Sequence, residues 1–130
     1  MQNSYLIDTR CWLNWHINPE RLSPGQYTIL QDMDNDIYFS TVSAWEINIK
    51  YRLEQIKLPS LPFRYIPDRI QKDQMKVLAF SLEHSLRTEN LPLHHTDPFD
   101  RLLITQAQLG DMTILTDDKR FELYDIKVIM

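Results

Sequence analysis

Five short runs of branched and aromatic residues, separated by longer stretches with helical spacing, most constrain what this chain can become. Tyr5-Leu6-Ile7, Ile37-Tyr38-Phe39, Lys76-Val77-Leu78-Ala79-Phe80, Thr113-Ile114-Leu115 and Lys127-Val128-Ile129 read as strands. Strands alternating with helices need crossover connections, which gives an α/β fold with a mainly parallel sheet and helices on both faces. Two helices are clearly marked. Residues 41–53 place Val42, Trp45, Ile49 and Leu53 on one side, with Ser40 or Thr41 as the N-cap. Residues 97–109 have Asp97 to cap the first turn, Pro98 for the first helical position and Gly110 for the stop, with Phe99, Leu102, Leu103 and Ala107 as the buried stripe. The prolines at 59, 62 and 67 make residues 58–68 a connection or the broken start of a helix. That stretch is too short to separate domains, and 130 residues fit one domain, 1–130.

Scarce residue types remove whole classes of function. The single cysteine, Cys11, excludes a disulfide framework and a cysteine-based zinc finger, suits a reducing cytoplasm, and reads as a small buried hydrophobe. Two glycines, Gly25 and Gly110, exclude a glycine-rich phosphate loop. No apolar run approaches the roughly 18 residues of a membrane span, and Met1-Gln2-Asn3-Ser4 lacks the basic segment of a secretory leader. A net charge of −4 argues mildly against nucleic acid, because phosphate binding is driven by Lys and Arg.

The placement of the acids matters more than their sum. In open α/β sheets, ligand sites lie beyond the carboxyl ends of the strands. Asp8 ends the first strand, Glu46 lies one turn into the helix after the second, Asp100 sits in the first turn of the 97–109 helix, and Asp118 follows the strand at 113–115. A parallel sheet can bring all four to one edge. Carboxylates so gathered repel one another, and a divalent cation with a preference for oxygen, Mg²⁺ or Mn²⁺, relieves that repulsion. Such a centre suits phosphodiester hydrolysis, in which the ion orients the phosphate and stabilises charge on the attacking and leaving oxygens. Each acid also has an ordinary structural role open to it: Asp8 as an N-cap, Asp100 as a partner of the helix dipole, Asp118 in a turn, Glu46 paired with Lys50 on a solvated face.

Leu6-Ile7-Asp8-Thr9, Ser43-Ala44-Trp45-Glu46-Ile47 with Lys50, His95-Thr96-Asp97-Pro98-Phe99-Asp100-Arg101-Leu102-Leu103-Ile104, and Leu115-Thr116-Asp117-Asp118 together resemble the PIN domain family. The likeness is greatest to the small VapC-type toxins of bacterial toxin–antitoxin modules, and it covers nearly the whole chain. It implies a three-layer α/β/α sandwich and a Mg²⁺- or Mn²⁺-dependent ribonuclease whose acidic quartet falls on Asp8, Glu46, Asp100 and Asp118. It also implies RNA as substrate, a cognate antitoxin as inhibitor, and a homodimer. Asp97 is the disputed neighbour of the third acid and fits a cap better; Asp118 is preferred to Asp117 because Phe121 follows at the family's spacing. Thr9 and Thr116 are expected to support the acids by hydrogen bonding, or to bond to backbone instead. Arg10 departs from the pattern, which often has His there. The excess of acids over bases equals the size of this quartet, so the acidity leaves RNA binding open, conditional on metal.

Other features carry less. His94 and His95 precede the acidic helix and could reach the site as proton donors, but histidines in a polar loop read as solvated and the metal chemistry needs none, so they are left out of the site. Trp12, Trp15 and Trp45 read as core or dimer-interface anchors, with base stacking as the alternative. Arg64, Arg69, Lys72, Lys50, Arg52 and Lys57 form the most basic stretch, a candidate phosphate-binding face or an ordinary solvated one. Two rival functions fit the same sequence: a PIN-like regulator that only binds protein, and a phosphatase or phospho-acceptor centred on Asp8, which Arg10 disfavours by standing where a second acid is wanted.

Overall fold

Side chains alternate across a strand, and that alternation gives this sheet two cores. The computed structural model describes residues 3–130; Met1 and Gln2, used above in weighing a leader, lie outside them. Its strands are β1 (Ser4–Ile7), β2 (Asp36–Ser40), β3 (Lys76–Leu78), β4 (Thr113–Leu115) and β5 (Val128–Ile129), in the order β3-β2-β1-β4-β5. Every neighbouring pair is parallel. All five expected strands are present, though the third stops at Leu78 rather than Phe80.

Leu6 and Ile114 face one apolar cluster, with Leu103, Ile104, Ala107 and Phe121. Their neighbours Ile7 and Leu115 face the other, with Trp12, Phe39, Ile47 and Ile66. Helix α6 (Pro98–Gly110) covers the first face; α1 (Thr9–Ile17), α2 (Pro24–Gln31) and α4 (Pro62–Lys72) cover the second. Helix α3 (Thr41–Arg52) contributes Val42 to one core and Ile47 to the other, and the short α5 (Leu82–Arg87) packs beside α6. The result is the three-layer sandwich, with the central strands dry on both sides.

The helix ends follow from local chemistry. Ser40 is the N-cap of α3, its hydroxyl accepting from the Val42 amide at 3.0 Å. Asp97 caps α6 by accepting from the Phe99 and Asp100 amides at 2.9 and 3.2 Å. The expected glycine stop is displaced by one residue: Gly110 stays helical and Asp111 takes the left-handed conformation at φ 51°. Aspartate tolerates that region better than most residues do. Residues 58–68 prove to hold a helix start at Pro62, and α4 runs through Pro67, where the carbonyl one turn earlier loses its amide partner.

The buried face of α3 differs from the expected one. Val42, Ser43, Glu46 and Ile47 are buried, whereas Trp45 and Leu53 are each 60% exposed. An apolar count misassigns this helix because the side turned toward the sheet edge carries a serine and a glutamate.

One buried amide ties the second helix to the sheet. Gln26 Nε2 donates to the Thr116 and Ile129 carbonyls, both at 3.1 Å, at the carboxyl ends of β4 and β5. Gln26→Ala removes the donor to the Thr116 carbonyl and one of the two donors to that of Ile129, which keeps the Thr116 amide at 3.2 Å, and is expected to cost ~1–3 kcal/mol, measured by urea unfolding.

Candidate active site

The four singled-out acids reach one pocket from four different elements. Asp8 stands between β1 and α1, Glu46 on α3, Asp100 in the first turn of α6, and Asp118 just beyond β4. The pocket measures about 220 Å³, and Thr9, Arg10, Lys50, Asp97, Asp117 and Arg120 also line it. It opens at the carboxyl ends of β1 and β4, where the parallel sheet directs it.

Asp8 is held most firmly. Its Oδ1 accepts from the Cys11 amide at 2.7 Å, so it is the N-cap of α1 as well as a wall of the pocket. Its Oδ2 accepts from the Thr116 hydroxyl at 2.5 Å, and the same hydroxyl oxygen accepts from the Asp118 amide at 3.0 Å. Thr116 thus links two of the acids. Thr9, expected in a similar role, instead donates to Ser43 Oγ at 2.9 Å, pinning α1 to α3.

Burial works against charge here. It pushes Asp8 up to about 7, against the opposing pull of the Thr116 and Cys11 hydrogen bonds. Asp100 also rises to about 7, from burial first and then from the charges of Asp97, Asp8, Glu46 and Asp118. Glu46 is buried too: Oε2 meets Lys50 Nζ at 2.7 Å, while Oε1 has no partner. The expected Glu46–Lys50 pair therefore exists, but on a buried wall of the pocket and not on a solvated face. Asp118 is different. Arg120 grips both its oxygens at 2.7–3.2 Å and holds its carboxyl below the ordinary range. Asp117, exposed, meets Arg10 Nε at 3.3 Å.

These donors fit a hard divalent cation: oxygens only, two carboxyls under mutual repulsion, and one carboxylate oxygen buried without a partner. Among the described residues, no three acidic, histidine or cysteine side chains stand close enough together to enclose an ion as they lie. Lys50 and Arg120 hold two of the acids, and a cation would compete with those bases.

Other candidates are now placed. Trp12 is fully buried in the second core; Trp45 lies exposed, edge-on to Phe99 at 5.4 Å between ring centroids. Cys11 is buried, and its thiol is pushed far up by burial. In the basic stretch, Lys50, Arg69 and Lys72 are paired with Glu46, Asp73 and Asp68. His94 is exposed as expected, but His95 is not. It is 8% exposed, its Nδ1 is 2.9 Å from Tyr124 Oη, and its Nε2 is 3.4 Å from Asp100 Oδ2. Burial, and then the Arg120 guanidinium, hold this imidazole below the ordinary histidine range. Its position beside an acidic helix start was the one signal available in the sequence.

Fold and site define an α/β protein with an acidic pocket at the carboxyl edge of a parallel sheet. The PIN domain matches residues 5–127, and the chain belongs to the PIN domain family. Over 57 residues it is 39% identical to ribonuclease VapC16 of Mycobacterium tuberculosis, a stretch covering 44% of this chain and 40% of that relative. Solved structures share the fold at low identity. DNA-bound VapBC from Salmonella typhimurium has a TM-score of 0.72 and 14% identity, over 99% of this chain and 98% of that one. VapBC2 from Rickettsia felis, bound to a promoter DNA fragment, has a TM-score of 0.69 and 16% identity, over 97% of each chain. FitAcB from Neisseria gonorrhoeae has a TM-score of 0.63 and 16% identity, over 97% and 96%.

Proposed function

We propose that this chain is a single-domain, Mg²⁺- or Mn²⁺-dependent endoribonuclease, the toxin of a toxin–antitoxin pair. The observation that carries the reading is the pocket itself, in which Asp8, Glu46, Asp100 and Asp118 converge and burial holds two of them to about 7. Family membership and the ribonuclease relative favour RNA over other phosphodiesters.

Asp8 and Asp100 would be the principal ligands, with Glu46 and Asp118 completing the set. When bound, the ion supplies Lewis-acid stabilisation of charge on the phosphate. The protein does the rest. Thr116 and the Cys11 amide fix the Asp8 carboxylate, so no reorganisation is needed there when substrate arrives. Lys50, Arg10 and Arg120 line an otherwise acidic pocket and give the RNA backbone cationic contacts beside the acids.

An antitoxin partner fits the surface next to this pocket. A groove of about 1030 Å³ lined by Tyr51, Leu58, Leu61, Pro62 and Phe63 shares Ile56 with the acidic pocket, and Leu61 and Phe63 are exposed. A partner seated there would reach the acids. A homodimer, from the family, is part of the same proposal.

The test is cleavage of single-stranded RNA by the purified protein. Mn²⁺-dependent cleavage at defined sites, stopped by excess EDTA and mapped by sequencing RNA ends, is expected. Cleavage undiminished in EDTA would overturn the reading. Mn²⁺ at ~100 times its dissociation constant should also stabilise the protein by about 2.7 kcal/mol, which the purely protein-binding alternative does not provide.

A further inference from the structure

A buried chain of hydrogen bonds ends on His95, beside the third acid. The Tyr124 hydroxyl oxygen accepts from the His95 backbone amide at 3.2 Å and from Arg101 Nη1 at 3.3 Å. Both of these groups can only donate. The hydroxyl has one hydrogen of its own, and the atom left to receive it is His95 Nδ1, at 2.9 Å. An Nδ1 that accepts obliges a neutral imidazole to carry its proton on Nε2. Nε2 is buried without a hydrogen-bond partner, and the nearest carboxylate oxygen to it, Asp100 Oδ2, stands 3.4 Å away.

Arg101 makes this arrangement rigid. Its guanidinium also donates to the carbonyls of Thr88, Leu91, Pro92 and His95 at 2.8–3.3 Å, fastening the loop before α6 to the helix that bears Asp100. Tyr124 is itself buried in the first core.

We propose that His95 is a positioning residue: Tyr124 and Arg101 fix its Nε2–H tautomer, and this buried donor, 3.4 Å from Asp100 Oδ2, would bond to that oxygen when Asp100 serves as a ligand. This rests on the nuclease reading above. Outer groups that orient a ligating carboxylate typically alter metal affinity 10- to 100-fold when removed.

Two measurements test it. Long-range ¹H–¹⁵N NMR of the metal-free protein is expected to show His95 protonated at Nε2, and Tyr124→Phe is expected to redistribute the proton between the two nitrogens. Calorimetric titration with Mn²⁺ should show affinity reduced at least tenfold in His95→Ala. His95→Gln, whose amide nitrogen can reach the Nε2 position, should bind within about threefold of wild type. An Nδ1–H tautomer in the wild type overturns the proposal, as does His95→Ala binding Mn²⁺ like wild type while Asp100→Asn does not. Should His95→Ala fail to fold, Tyr124→Phe decides through the tautomer, and an unchanged proton position overturns the proposal. A wild type that binds no Mn²⁺ overturns this inference and the nuclease reading together, so the two failures are distinguishable.

Discussion

Asp100→Asn is expected to lower RNA cleavage by a hundredfold or more while making the metal-free protein more stable at pH 8. The two effects have one cause. Asp100 lies in the first turn of α6, where the unpaired amides favour negative charge, yet burial and four neighbouring acids still push its carboxyl up to about 7. At pH 8 without metal it is ionised against that penalty, and a neutral amide of the same shape removes it, a gain of ~1–3 kcal/mol after allowing for its partial exposure. The same substitution deletes a ligand, and transition-state charge stabilisation of this kind is worth roughly 10²–10³ in rate. RNA cleavage and a melting curve in EDTA, on one preparation, check both halves. An Asp100→Asn protein that cleaves like wild type removes Asp100 from the site. One that is inactive and less stable reduces it to a structural residue.

In EDTA, the melting temperature is expected to fall as pH rises from 6.5 to 8, and Mn²⁺ should reverse the fall at pH 8. Asp8 and Asp100 keep their protons to about pH 7 in the folded chain, whereas the unfolded chain releases them near 3.8. Between those values the folded state binds more protons, so their contribution to stability is full below pH 3.8 and lost as pH passes through about 7. His95 acts in the opposite sense, since its folded affinity for a proton is lowered; that contribution is complete above the ordinary histidine value of 6.5. Asp118, whose carboxyl is lowered, contributes stability that is full above pH 3.8 and lost only below it, so it is constant across this range. The window from 6.5 to 8 therefore isolates the two buried acids. Over that window two carboxyls titrating near 7 lose at most ~1.5 kcal/mol together, a few degrees in Tm, readable by scanning calorimetry. The double variant Asp8→Asn, Asp100→Asn should give a flat profile there.

The sequence was most legible where backbone chemistry is local. The five strands, the Asp97-Pro98 helix start and the two-faced pattern of Leu6-Ile7 and Ile114-Leu115 follow from residue type and a period of two. The parallel order then brings the strand-end acids together, because a crossover fold puts every carboxyl end on one side. Two features were illegible for specific reasons. The buried side of α3 carries Ser43 and Glu46, so counting apolar residues selected Trp45 and Leu53, which face solvent. His95 sits in an aperiodic loop, and its burial depends on Tyr124, 29 positions later, a contact that no local pattern encodes.

The sheet order has a consequence in time. β1 lies at the centre of the sheet, yet one of its two partners, β4, is among the last strands to be made. The Thr116 hydroxyl that grips Asp8 lies 108 residues further along the chain. During synthesis the early strands can pair with β2 and β3, but the acidic pocket cannot close until β4 has emerged, so the contacts that complete it are the slow, non-local ones. A growing chain therefore carries an incomplete pocket, with Asp8 lacking its Thr116 partner, until its last strands have been made.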